Sequence, residues 1–148
     1  MDDHVKAERA ETLRLRCRER GLALTPHRRA ILSVVLDLDD HPTADRVHAA
    51  LARRRVRVSR ATVFRTLEQL VRLGVLAKTC HPGSSVRYDP RIDRHHHLVC
   101  LTCDRVIDIS DARLDALPIP ATRRFGFVVS DFNVQLRGKC QECREQED

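Results

Sequence analysis

Between Ser59 and Asp89 the chain reads SRATVFRTLEQLVRLGVLAKTCHPGSSVRYD. Ser59 is placed to accept from the amides of a helix's first turn. Gly74 is placed to end that helix, because glycine takes the left-handed conformation without steric cost. At about 100° per residue, Val63, Leu67 and Leu70 share one face and predict a core-facing stripe. Ala61, Arg65, Glu68 and Arg72 fall on the opposite side, with Phe64 at the boundary. The residues after Gly74 predict two strands around a Pro-Gly turn. A short basic helix directly before a β-hairpin is the grammar of a winged helix-turn-helix. Such a helix enters a major groove by its N-terminal end, which here presents Arg60, Ala61, Phe64 and Arg65.

The segments upstream supply the rest of that fold. Residues 5–20 read as a helix stopped by Gly21. Residues 26–38 read as a second, with Thr25 as N-cap, Pro26 in the first turn and Ile31, Leu32, Val35 and Leu38 as its apolar stripe. Thr43 caps a third over 44–54, with Val47, Ala50 and Leu51 inside. Charge follows the same division. Residues 1–90 hold 18 Lys+Arg against 11 Asp+Glu, while residues 91–148 hold 9 against 10. Six arginines and no acid lie between Arg53 and Arg65, which points to an anionic partner, nucleic acid first among them. No apolar run approaches a membrane span and the N-terminus is polar and acidic. The expected setting is the cytoplasm, where six cysteines are metal ligands or redox groups before they are disulfides.

After Asp89 the pattern changes. HHHLVC and RVIDI predict strands joined by a tight LTCD turn, 111–117 a short helix ended by PIP, and FGFVVSDFNVQL one or two further strands. The charged tail is expected to be loose beyond Cys143. Fewer than 60 residues with few aromatics make a poor isolated core, so this half is expected to depend on a metal and on pairing with another copy. Cys100/Cys103 and Cys140/Cys143 form two CxxC pairs. Two such turns aim four thiolates at one tetrahedral zinc about 2.3 Å away, a closed and therefore structural site. The βαβ setting of a redox CxxC is missing. Cys17 falls on an apolar helix stripe, and Cys80 has no assigned role. With the thiolates so committed, the histidines form a second group. In a strand His95 and His97 point together and His96 points away, with Asp108 one strand over and Asp89 just upstream. Imidazole plus carboxylate suits Fe²⁺, Mn²⁺, Zn²⁺ or Ni²⁺ without choosing among them.

Taken in order, LTPHRRAIL, HPTAD, SRATVFRTLEQL, HHHLVCLTCDRVIDI and CQEC resemble the ferric uptake regulator family from about Leu22 to Cys143. The resemblance implies an α+β homodimer. Residues 1–88 would form a winged-helix DNA-binding domain, and residues 89–148 a small α/β dimerisation domain carrying one structural Zn²⁺ per subunit. It implies a repressor whose DNA affinity rises when a regulatory metal is bound. It also adds a ligand that spacing does not supply, the His of HPTAD. The implied regulatory set for Fe²⁺ or Mn²⁺ is then His41, Asp89, His95, His97 and Asp108, and a metal there would clip the DNA-binding half to the dimerisation half. Candidate DNA contacts are Arg28, Arg60, Ala61, Thr62, Phe64 and Arg65. The family's recognition helix usually reads ATVYRTL; Phe64 keeps a ring for a thymine methyl but lacks the Tyr hydroxyl.

Two features lean towards the peroxide-sensing branch of that family. Both regulatory carboxylates are Asp where iron sensors usually offer Glu, and all four zinc cysteines are present. An additional metal site of some iron sensors falls here on Arg94, His96, Asp115 and Phe132, of which Arg and Phe are not ligands. The expected function is therefore peroxide sensing by Fe²⁺-catalysed oxidation of His ligands, with repression through an inverted-repeat operator. The alternative is sensing of iron, zinc or manganese availability without peroxide chemistry. An enzyme is not expected, nor a small organic substrate: no general base stands beside the ligands, and catalysis would leave the basic winged helix unexplained. A zinc-scaffolded protein-interaction module would lack salt-steep DNA binding.

Overall fold

The computed structural model describes residues 3–38, 40–79 and 85–146. It divides into two compact units, Met1–Ile92 and Asp93–Asp148. The first unit is built from four helices and a hairpin: α1 (Asp3–Glu19), α2 (Pro26–Leu38), α3 (Ala44–Arg53), α4 (Arg60–Arg72), β1 (Ala77–Thr79) and β2 (Arg87–Asp89). The caps lie where the side chains predict. Thr25 Oγ1 accepts from Arg28 N, Thr43 from Arg46 N and Ser59 from Thr62 N. Gly21 and Gly74 end their helices at φ 68° and 66°. Val63, Leu67 and Leu70 are fully buried against Ile31, Val35, Val47 and Leu51, and Cys17 lies in the same core beside Leu13. Burial holds the Cys17 thiol above its ordinary range, as expected of a packing residue.

Two details depart from the sequence reading. Val34 and Leu36 are buried as well, so α2 is covered on a wider arc than its stripe predicts. Glu68 is not on an open face. Tyr88 Oη of β2 donates to it at 2.7 Å and Lys78 of β1 pairs with it at 2.9 Å, so the hairpin covers that side of α4. The strands pair antiparallel with Ala77 opposite Asp89. That pairing puts Asp89 in the first unit, where Tyr88 N also donates to Pro42 O. The Pro-Gly turn and Cys80 lie outside the described residues.

Packing and surface should separate cleanly on α4. Leu67→Ala removes a fully buried side chain and is expected to lower the stability of this unit by about 2–5 kcal/mol. Phe64→Ala removes a half-exposed ring and should stay within about 0.5 kcal/mol. Urea unfolding of the two variants checks both.

The second unit holds β3 (His96–Cys100), β4 (Val106–Ile109), α5 (Ala112–Asp115), a 3₁₀ turn (Thr122–Phe125), β5 (Gln135–Gly138) and α6 (Gln141–Glu145). Its sheet runs β4-β3-β5, with β4 antiparallel and β5 parallel to β3. The apolar run after Phe125 does not form the strand its composition predicts until Gln135; residues 127–134 are irregular. Strand structure needs a neighbour to take its hydrogen bonds, and among the described residues β3 supplies one only from His97 to Cys100. Phe125, Phe127 and Val128 are left 65%, 69% and 80% exposed. The tail is helical to Glu145, not loose from Cys143 onward, because Cys143 is buried and anchors the turn. Val99, Val106, Cys100 and Cys143 are the buried apolar residues of this unit, far fewer than in the first. No described helix is long and apolar enough to cross a membrane.

Candidate metal centres and recognition helix

Cys100 closes β3, and the following turn returns Cys103 towards it, Asp104 taking a positive φ of 58°. Cys140 caps α6 and Cys143 lies one turn on. The register of β5 beside β3 carries the second pair to the first: Cys100 lies opposite Gly138, two residues before Cys140. All four Sγ atoms fall within 4.8 Å of one another, and Cys103 and Cys140 are 3.8 Å apart, unbonded. Tetrahedral thiolates at about 2.3 Å from one ion are separated by about 3.8 Å, so the donors fit a closed four-sulfur site. The Cys140 amide donates to Cys100 Sγ at 3.4 Å, and such backbone donors bring that thiol down to about 6. Cys143, hydrogen-bonded first to Cys140 and then to Cys103, is pushed up to about 12. Four thiolates at this spacing repel one another unless a cation sits among them.

The histidines alternate as the strand pleat requires. His95 and His97 lie on one side, their rings 4.7 Å apart and edge to face. Asp108 of β4 is the register partner of His97, with Oδ1 3.7 Å from His97 Nε2 and 3.5 Å from His95 Nε2. His95 Nδ1 donates to Asp93 O at 2.7 Å, which leaves the Nε2 lone pair facing Asp108. Two ligand atoms at about 2.1 Å from one ion, at right angles or slightly wider, are about 3.0–3.4 Å apart, so this trio needs little adjustment to share a divalent cation. Within the first unit His41 Nε2 lies 3.2 Å from Asp89 Oδ2, both residues at least 95% buried. His41 takes φ 53°, a left-handed conformation that costs a residue with a Cβ roughly 1–3 kcal/mol. It is held there by its neighbours: Arg87 Nη1 donates to His41 O.

His96 points the other way and is fully buried. Its Nδ1 accepts from Val134 N at 3.1 Å, so Nε2 carries the proton that faces Asp115 Oδ1 at 3.2 Å. Phe132 lies beside it, and the Arg94 guanidinium sits 5.0 Å over that ring while pairing with Asp131 at 2.9 Å. The four positions Arg94, His96, Asp115 and Phe132 do come together, around an arginine's fixed charge.

On α4, Ala61, Phe64 and Arg65 are exposed and Thr62 half-buried, and Arg65 makes no ion pair among the described residues. Two other candidate contacts are engaged elsewhere. Arg28 donates to Ala23 O at 2.8 Å and to Gln69 Oε1 at 3.1 Å, tying α2 to α4; its guanidinium serves the scaffold. Arg60 is forked onto Asp45, Nε to Oδ1 at 2.5 Å and Nη2 to Oδ2 at 2.8 Å. Arg54, in the basic run, is likewise bound to Asp37. No sequence signal singles out Asp45, which precedes Arg60 by 15 residues with a helix and a loop between.

A family model described as the ferric uptake regulator family matches residues 19–137. The peroxide operon regulator of Bacillus subtilis (strain 168) is 33% identical over 147 residues, covering 99% of this chain and 99% of that one. The peroxide-responsive repressor PerR of Staphylococcus epidermidis is 29% identical over 97% of this chain and 93% of its own. Among solved structures, the ferric uptake regulator of Vibrio cholerae superposes with a TM-score of 0.70 at 26% identity, covering 84% of this chain and 96% of that one.

Proposed function

This chain belongs to the ferric uptake regulator family, and on that premise we propose that it is a metal-dependent, DNA-binding transcriptional repressor that senses peroxide. The observation that carries this reading is the end-to-end likeness to a peroxide operon regulator at 33% identity. The donor chemistry supports it. In our reading His41, Asp89, His95, His97 and Asp108 hold one Fe²⁺ or Mn²⁺, and Cys100, Cys103, Cys140 and Cys143 hold one Zn²⁺ that does no chemistry.

Fe²⁺ held there would supply O–O cleavage of hydrogen peroxide, one oxygen replacing a hydrogen on an imidazole carbon and the other leaving as water, so that peroxide is the two-electron oxidant and the iron is not consumed. The chain's part is to hold oxidisable rings at that spot. Asp93 O fixes the His95 ring so that Nε2 is the ligating atom, and the Arg87 contact fixes the His41 backbone. A ring that gains an oxygen is a poorer ligand, so oxidation of His41 or His95 loosens the set that favours DNA binding. The test is DNA release by peroxide with Fe²⁺ and not with Mn²⁺. A second reading, a sensor of iron availability alone, draws on the likeness to the Vibrio cholerae regulator and predicts equal behaviour with both metals.

A second copy of the chain would cover the exposed run from Phe125 to Val129 and bring two α4 helices onto an inverted repeat. Arg65→Ala is then expected to weaken a selected operator about tenfold while changing random-sequence DNA little. Arg53→Ala should weaken both alike and lower the salt slope by about one, as a phosphate contact does. Titrations at several salt concentrations separate the two. Equal losses on both DNAs for Arg65→Ala would remove it from base readout.

A further inference from the structure

The Asp45–Arg60 fork lies apart from both candidate metal centres. Both side chains are well exposed, 62% and 72%, so the pair adds little to stability. Its geometry is nonetheless specific. Two parallel N–H···O bonds engage one edge of the guanidinium, Nε and Nη2. Arg60 is the first residue of α4, the end that meets the groove, and Asp45 lies in the first turn of α3. Asp45 stays ionised at neutral pH, since the Arg60 bonds hold its carboxyl below the usual range. The fork leaves three of the five guanidinium N–H groups, two on Nη1 and one on Nη2, on the edge turned away from Asp45. That free edge has the spacing of guanine O6 and N7.

We propose that Asp45 is a positioning residue for base recognition: it pre-sets Arg60 so that the free edge of its guanidinium reads a guanine in each operator half-site. This rests on α4 being the helix that reads DNA. A long arginine side chain otherwise loses much rotamer freedom on reaching a base, and Asp45 removes that freedom beforehand. The same carboxylate is a negative charge beside phosphates, so it weakens binding to every sequence alike. Removing Asp45 therefore loses preference for the operator while relieving a charge penalty common to both DNAs, a split that a merely structural contact does not produce.

The experiment uses the full-length protein with zinc retained and Mn²⁺ supplied, a duplex selected from random sequence by the wild type, and a scrambled duplex. Asp45→Ala should lower affinity for the selected duplex about threefold, within the worth of one exposed ion pair, and leave scrambled DNA equal or tighter. Arg60→Lys should keep scrambled binding and lose about tenfold on the selected duplex, the discrimination of one bidentate arginine–guanine pair, because an ammonium has no fork. Adding Asp45→Ala to Arg60→Ala should cost no further preference. Asp45→Asn, which keeps the shape and one acceptor, serves if the alanine variant folds poorly, and should fall between. Tighter binding to both duplexes, or no change in their ratio, would overturn the proposal. Arg65→Ala separates the failures. If it lowers the ratio while Asp45→Ala does not, only this inference falls; if neither does, α4 is not the reading helix.

Discussion

Protein loaded with Fe²⁺ and exposed to hydrogen peroxide is expected to release operator DNA and to carry one added oxygen on the tryptic peptide spanning residues 30–46. That peptide, bounded by Arg29 and Arg46, contains His41 and no Met, Cys, Trp or Tyr, so one extra oxygen has few other places to reside. The companion peptide, residues 95–105, also holds Cys100 and Cys103, and fragment ions must place its oxygen on His95. Damage to one ligand should weaken the regulatory metal by roughly 10–100-fold, the range seen when support for a single ligand is removed. Because metal and DNA binding are linked, operator affinity falls with it. Mn²⁺-loaded protein should bind the operator and keep both peptides unmodified under the same peroxide. If release occurs with both peptides intact, or equally with Mn²⁺, the oxidation mechanism is wrong and a metal-availability sensor is the better description.

Removing one thiolate should have the largest effect on the fold. Cys140→Ser is expected to lose the stoichiometric zinc, unfold the second unit and abolish the dimer. A structural zinc contributes about 10–16 kcal/mol of binding free energy, which equals or exceeds the whole stability of a typical small domain, about 5–15 kcal/mol. Apart from Cys100 and Cys143, the buried apolar residues of this unit are Val99 and Val106, so little packing is left to resist. The first unit has its own core around Val35, Leu51 and Leu67 and should keep a separate cooperative melt. Metal analysis, sedimentation and calorimetry on the variant check each part. A Cys140→Ser protein that stays dimeric with unchanged thermal stability would show that the four-sulfur site does not support the fold.

Most of the first unit was legible in the sequence because its signals are local. A cap such as Thr43 or Ser59 acts within three residues, a stop such as Gly74 within one turn, and the spacing of Val63, Leu67 and Leu70 records which face is covered. The CxxC pairs are legible for the same reason, and the pleat alone put His95 and His97 on one side. Tertiary structure decided what depends on distant residues. His41 meets Asp89 across 48 positions, in a left-handed backbone conformation that its sequence neighbours do not announce. Arg28, Arg54 and Arg60 look equivalent to Arg65 in a basic sequence, yet each is held by Gln69, Asp37 or Asp45, and Arg65 is not. Residues 127–134 have the composition of a strand, yet among the described residues no strand pairs with the chain there until Gln135 comes alongside β3. Periodicity and caps are set by neighbours along the chain; ion pairs and strand edges are set by where helices cross and which backbone arrives alongside, and packing alone determines that.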